Sequence, residues 1–385
     1  MRGATSLTLT WSPRGFCLAD HRISVKAKML LSVAFALTLA AMNASPISSL
    51  TYKNDLISTD APDPGCMFDR TTKKFYCAHT CNGEGALCTN DEGNFPIYSS
   101  RDLSAFDYVG VAQPPYTDGW AKDRFWAPEL HPSPTGEGYV LFHTAGNAEG
   151  NLCLGVSTSQ NITGPYYPSD EPLLCNSDES NPNVGLIDST LFVDKDDGNK
   201  PYLIYKVDGN SNGTPSDIKI VALSDDATYV SDKDVTNHVT LISNDVNSWE
   251  GLCTEGPWVY DDRAKSGYLF LFYSGSMYNV VSYSVGVARS KSLFDGWEKS
   301  PNNPILHVGG EDSGFSGPGH CSVIDNELTD GDELAMIYHA HVGYNVPTVD
   351  SERNLLLDFV RINSEGWPEM VNADGTPSED EQEIL

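Results

Sequence analysis

Five segments of the chain repeat one layout, and that repetition limits the folds open to it more than any other feature. Each begins with a short polar cluster, continues through an apolar strand-like run, and ends in a third run closing on small polar residues. The middle runs are the clearest: KKFYCAHT from Lys73, GYVLFHTAG from Gly138, KPYLIYKV from Lys200, GYLFLFYSG from Gly267 and ELAMIYHAH from Glu333. Runs rich in Val, Ile, Tyr and Phe, broken by Gly, Asn, Asp and Pro, read as strands, and no convincing amphipathic helix interrupts them. Self-similarity at a fixed period marks repeat architectures.

The opening clusters are DAPDPG, FWAPEL, GLIDST, CTEGPW and GPGHCS, with polar centres at Asp63, Glu129, Asp188, Glu255 and His320. Successive centres are 66, 59, 67 and 65 residues apart. Five small antiparallel sheets of this period fit radial repetition about an axis, so the expected fold is all-β, a five-bladed β-propeller forming a single catalytic domain. A two-sheet sandwich would leave the recurring polar centre unexplained. If the first strand of each unit is innermost, all five openings meet at one mouth of the central channel. Loops after the second strands then rim the same depression, and Lys206, Tyr278, His339 and His341 are expected on that rim from topology.

Asp63, Asp188 and Glu255 would therefore converge. Grouped carboxylates raise one another's pKa, so a fold that gathers three is expected to use them. Cleavage of a glycosidic bond needs one carboxyl group to protonate the leaving oxygen and another to activate water. Three surface acids in an acid-rich protein are the plain alternative.

The formal net charge is −29, from 53 acidic and 24 basic residues. Such a surface repels phosphate backbones and anionic lipid, so neither nucleic acid nor a membrane is an expected partner; a neutral sugar is not penalised. Lys26 and Lys28 precede an apolar run from Met29 to Ala41 and then small residues, a leader pattern too short to span a bilayer comfortably. We therefore expect 1–44 to be an N-terminal extension plus signal peptide, 45–375 the propeller, and 376–385 an unstructured acidic tail. The protein is expected to be secreted. Cleavage after Ala44 would leave eight cysteines, an even number suited to disulfides. The pairing Cys66–Cys77, Cys81–Cys88, Cys153–Cys175 and Cys253–Cys321 is one of many. Asn161-Ile-Thr163 and Asn212-Gly-Thr214 are glycosylation sequons.

DAPDPG, the block GLIDSTLFVDKDDGNKPYLIYK, TEGPWVY and GPGHCSV occur in this order between about Asp55 and Pro368, and together they resemble glycoside hydrolase family 43. The resemblance implies Asp63 as general base, Glu255 as general acid, Asp188 as the residue that tunes and orients the acid, and inversion at the anomeric carbon. The base and acid should then stand roughly 6.5–9.5 Å apart. It also implies substrate contacts from Trp126, Arg353 and His320. His320 matches a histidine that helps hold a central water or calcium ion, so the expected cofactor inventory is none required for chemistry, with room for an indirectly held structural calcium on the axis. Glu129 has no catalytic counterpart. Ser189 stands where proline is frequent. KVDGN, from Lys206, resembles the arabinofuranosidase and β-xylosidase members more than the endo-arabinanases. The implied substrates are α-L-arabinofuranosyl or β-D-xylosyl linkages of plant cell-wall polysaccharides. The rivals are an inactive sugar-binding propeller and an endo-arabinanase. A fructan hydrolase would open on an Asn-Asp-Pro-Asn-type motif, absent here.

Overall fold

Strand-forming runs with so little helix between them leave β-sheet packing as the only way to bury their apolar faces, and the computed structural model shows how this is done. It describes residues 50–80, 93–115, 119–328, 332–345, 351–372 and 374–384. The leader and Cys81–Cys88 lie outside the described residues.

Five four-stranded antiparallel sheets follow one another, each with its strands in sequence order. Their first strands are Gly65–Asp69, Asp123–Pro132, Leu186–Asp194, Thr254–Asp261 and Phe315–Asp325. Each touches the first strand of the next blade, and the fifth touches the first, which closes the ring around an axis. The expected five-bladed propeller is thus observed. Second strands run Lys74–Ala78, Tyr139–Gly146, Lys200–Val207, Leu269–Gly275 and Leu334–Val342, matching the five apolar runs. Each blade also has an outer fourth strand, Asp107–Gln113, Tyr167–Pro168, Val239–Ser243, Glu298–Lys299 or Pro368–Met370, that the sequence pattern did not reveal. Several are only two or three residues long, too short to show a period of two.

Apolar clusters fill the spaces between blades, as in stacked sheets. Met67, Ile97, Leu130, Leu141 and Tyr166 join the first two blades, and Ile204, Ile220, Leu271 and Tyr273 join the third and fourth. The ring is latched by both ends of the described chain. Leu56 and Ala61 bond to the backbone of Leu355 and Arg353 on the fifth blade, and Thr51–Tyr52 pairs with Gln382–Glu383. The acidic tail is therefore ordered rather than unstructured. Its Ser378 is buried against Asp358, and Ile384 enters the core.

Disulfides join Cys66 to Cys77 and Cys153 to Cys175, as expected. The expected Cys253–Cys321 bond is absent, and both thiols are free and buried. Cys253 is drawn into a polar cluster with Lys206 and Glu255, whereas Cys321 sits within the innermost strand of the next blade, where burial raises its pKa with a smaller push from Glu129.

Candidate active site

The mouth is built by one repeated backbone device. In every blade a residue within or just before the inner strand adopts left-handed backbone: Asp63 (φ 51°), Ala127 (φ 44°), Asp188 (φ 55°), Gly256 (φ 54°) and His320 (φ 49°). Four of the five are not glycine, a conformation that costs of order 1–3 kcal/mol each and persists only when the surroundings enforce it. In blades two to five the sheet register shifts at this point. A buried acceptor takes the N–H that the bulge releases. His339 Nδ1 accepts from Asp63, Thr80 Oγ1 from Ala127, Thr144 Oγ1 from Asp188, and Ser274 Oγ from His320, at 2.7–3.1 Å. Each acceptor lies on or just beyond the second strand of the preceding blade. The equivalent position in the third blade is Lys206, which has only donors. There the N–H of Gly256 is taken by Asp188 Oδ2 at 3.1 Å.

This alignment revises the sequence phase. Asp63, Asp188 and His320 are equivalent, but Glu255 stands one residue before the bulge and Glu129 two residues after it. The bulges inside the strands, not the spacing of acids, decide which side chains reach the mouth.

Asp63 is clamped in its ionised form. Burial opposes the charge, but Arg353 and His320, with hydrogen bonds from Thr80 and Arg353, hold its pKa below the ordinary value. Arg353 Nη1 donates to Oδ1 at 2.8 Å and Thr80 Oγ1 donates to Oδ2 at 2.7 Å. His320 Nδ1 stands 3.5 Å from Oδ1. His339 is kept neutral by burial and by the positive charge of Arg353. It can therefore accept from the Asp63 backbone.

Asp188 behaves oppositely. Burial, with Glu255 and Asp63 close by, pushes its carboxyl up to about 6 against the pull of His320 and Lys206. Glu255 is buried too, but Lys206 outweighs burial and, with hydrogen bonds from Tyr283 and Cys253, lowers its pKa. Lys206 Nζ donates to Oε2 at 2.7 Å and Tyr283 Oη donates to Oε1 at 2.7 Å. Lys206 was expected at the rim; it is instead 1% exposed, because its ammonium is shared between Glu255 and Asp208, 2.8 Å away. Asp188 and Glu255 are thus pushed in opposite directions, Asp188 up by burial and Glu255 down by Lys206.

The remaining expected residues fall around this centre. Trp126 is half-buried beside the bulge at Ala127, opposite Thr144. The Arg353 guanidinium stacks on the Tyr278 ring, 4.9 Å from its centroid. His341 is buried rather than at the rim, with its ring nitrogens 3.1 Å from the carbonyls of Glu352 and Tyr278. Glu129 lies deeper in the channel, and burial together with Asp188 raises its pKa well above the ordinary value. Ser189 is fully buried. Sequence reasoning missed Thr80, Tyr283 and Cys253; Thr80 and Cys253 lie just outside strands, where no periodicity points at them.

Calcium prefers six to eight oxygen ligands. Among the described residues no three His, Cys, Asp or Glu side chains gather as a metal-binding group, and His320 faces Asp63.

Comparison with known proteins now decides the lineage. The sequence pattern of "Glycosyl hydrolases family 43" matches residues 52–368. The chain belongs to this family. It is 27% identical over 245 residues to a xylosidase/arabinosidase of Butyrivibrio fibrisolvens, an overlap of 60% of this chain and 42% of that protein. It is 23% identical to the extracellular endo-α-(1→5)-L-arabinanase 2 of Bacillus subtilis (strain 168), over 65% of this chain and 57% of that protein. The chain thus spans about half the length of these relatives. A thermostable family-43 glycoside hydrolase of known structure superposes with a TM-score of 0.70 at 26% identity, covering 85% of this chain and 98% of that one. Asp63, Asp188 and Glu255 stand close enough for Glu255 and Asp63 to raise the pKa of Asp188.

Proposed function

We propose that this family 43 protein is a secreted, inverting glycoside hydrolase that cleaves α-L-arabinofuranosyl or β-D-xylosyl linkages in plant cell-wall polysaccharides or their oligosaccharides. The observation that carries the reading is the asymmetry of the carboxyl groups: Arg353 and Thr80 bond to Asp63 and hold it ionised, while Asp188, raised to about 6 by burial, lies beside Glu255, whose pKa Lys206 lowers against burial. That is the division a hydrolysis needs.

Asp63 would take a proton from water as its oxygen attacks the anomeric carbon. Glu255 would give its proton to the departing glycosidic oxygen, so the C–O bond breaks without expelling an alkoxide. Asp188, bonded to the N–H of Gly256, would hold the strand that carries Glu255 and share its proton. Arg353 and Tyr278 together offer a charged and an aromatic surface to the sugar, and Trp126 a wall; His320 completes the contacts. The relatives' names, xylosidase/arabinosidase and arabinanase, support pentose substrates. Among the described residues no helix is long and apolar enough to cross a membrane.

The test is a screen of aryl α-L-arabinofuranoside and β-D-xyloside, with NMR of the first-formed anomer. Release with inverted configuration is expected. Retention would refute the mechanism, and binding without release would mark an inactive sugar-binding propeller. The similarity to the Bacillus subtilis enzyme favours one further substrate, linear α-1,5-arabinan. Oligosaccharide products from it, with no release from the aryl glycosides, would establish endo action.

A further inference from the structure

Lys206 is the one position where the ring of acceptors around the mouth is broken. The other four blades place Thr80, Thr144, Ser274 and His339 there, each accepting a backbone N–H from the next blade. A lysine cannot accept, and its ammonium crosses to Glu255 Oε2 instead. The two oxygens of Glu255 are then both engaged, Oε2 by Lys206 and by the Cys253 thiol at 3.1 Å, and Oε1 by Tyr283. Tyr283 is itself held in place. Its ring stacks on His339, and it occupies the space a side chain at position 319 would need, since a Cβ on Gly319 would fall 2.0 Å from Tyr283 Cε1.

We propose that Lys206 is a positioning residue for the hydrolytic step: its ammonium fixes the Glu255 carboxyl at the mouth and sets the alkaline limit of activity. The proposal rests on the reading of Glu255 as the acid. The charged and titratable groups facing Glu255 are Lys206 and Asp208 from the third blade's second strand and its loop, Asp188 from the third blade's inner strand, and Cys253 and Tyr283 from the fourth blade. His320 of the fifth blade lies beside the neighbouring Gly256, and Lys206 is the cation bonded to Glu255. Its charge favours loss of the proton from Glu255, and Asp208, 2.8 Å away, draws off part of that charge. Removing the cation should let the acid keep its proton to higher pH; removing Asp208 should do the reverse.

The experiment compares pH profiles of kcat/KM for the wild type, Lys206→Met, Lys206→Arg and Asp208→Asn, on the glycoside that the wild type cleaves best. One pH unit above its alkaline midpoint the wild type retains about a tenth of its maximum. There Lys206→Met should keep at least half of its own maximum, Lys206→Arg should follow the wild type, and Asp208→Asn should lose activity at lower pH than the wild type. An unchanged limb in a folded Lys206→Met protein overturns the proposal. If that variant does not fold, an unchanged limb in Asp208→Asn overturns it. A second readout needs no turnover: the titration of the Glu255 carboxyl in 13C-glutamate-labelled protein, assigned with Glu255→Gln, should move up in Lys206→Met. Absence of hydrolysis by the wild type would instead defeat the assignment of function and leave this titration standing.

Discussion

At the scale of single residues, the site is a set of carboxyl groups whose environments push them apart. Asp63 has a folded pKa below its unfolded value, so its clamp by Arg353 and Thr80 stabilises the protein above the ordinary aspartate range and is lost as pH falls through the lower folded value. Asp188 has the opposite sign. Its pKa is raised to about 6, so its contribution is fully present below the unfolded aspartate value and is lost as pH rises toward 6. The activity profile should follow Asp63 on its acid side, with a limb below the ordinary aspartate value, and the Asp188–Glu255 pair on its alkaline side, where Lys206 acts on Glu255, checked by kcat/KM across pH. Removal of one carboxyl is a sharper test. Glu255→Gln should lower turnover of an unactivated substrate by at least about 100-fold, the usual scale of general acid catalysis, with the circular dichroism spectrum unchanged. Near wild-type turnover would remove Glu255 from the acid role. The motifs made these carboxylates legible, because a residue type at a fixed place in a repeat survives in sequence. Their protonation did not show there, since it depends on Lys206, Thr80 and Tyr283, which come from other parts of the chain.

At the scale of elements, strands and bulges differ in how much sequence reveals. The second strands could be read directly, because burial on both faces leaves nearly unbroken apolar runs such as YLFLFYSG. The inner-strand bulges could not. Ala127, Asp188 and His320 carry no mark of the left-handed backbone they adopt, which tertiary hydrogen bonds impose. That is why Glu129 was placed in phase with Asp63 when it lies two residues beyond the bulge. The bulge acceptors can be tested singly. Thr144→Val removes the Oγ1 that accepts from Asp188 N–H and keeps the shape, leaving a fully buried donor unpaired at a cost of about 1–3 kcal/mol, readable by urea denaturation. Gly319→Ala meets the Tyr283 ring and should displace it from Glu255 Oε1. The expected outcome is a fall in kcat larger than the fall in stability explains, with Tyr283→Phe reproducing much of that fall.

At the scale of the whole molecule, a ring of five sheets must be closed, and closure falls to the two ends of the described chain. Acidic composition alone suggested a loose tail, because charge runs seldom bury themselves. The fold overrides it through one polar network. Asp358, on the third strand of the fifth blade, accepts from Tyr52 and Tyr338 hydroxyls at 3.2 and 2.6 Å, from the Ser378 N–H at 3.2 Å and from the Ser378 hydroxyl. Asn54 donates to Asp358 and to the Ser378 carbonyl, tying the first described segment to the last. Burial raises the pKa of Asp358 against these donors, so the network is costly to leave incomplete. Truncation after Pro377 would remove Ser378, the strand partner of Thr51–Tyr52 and the buried Ile384 together. The expected loss is about 2–4 kcal/mol, with a lower midpoint in urea. The truncation leaves the Ala61–Arg353 backbone bond in place, and the Asp358 network it disrupts has no member at the channel mouth, so the truncated protein, assayed well below its new midpoint, should keep the wild-type kcat. A proportional fall in kcat would show instead that the latch holds the fifth blade, and with it Arg353 and His339, in register with Asp63.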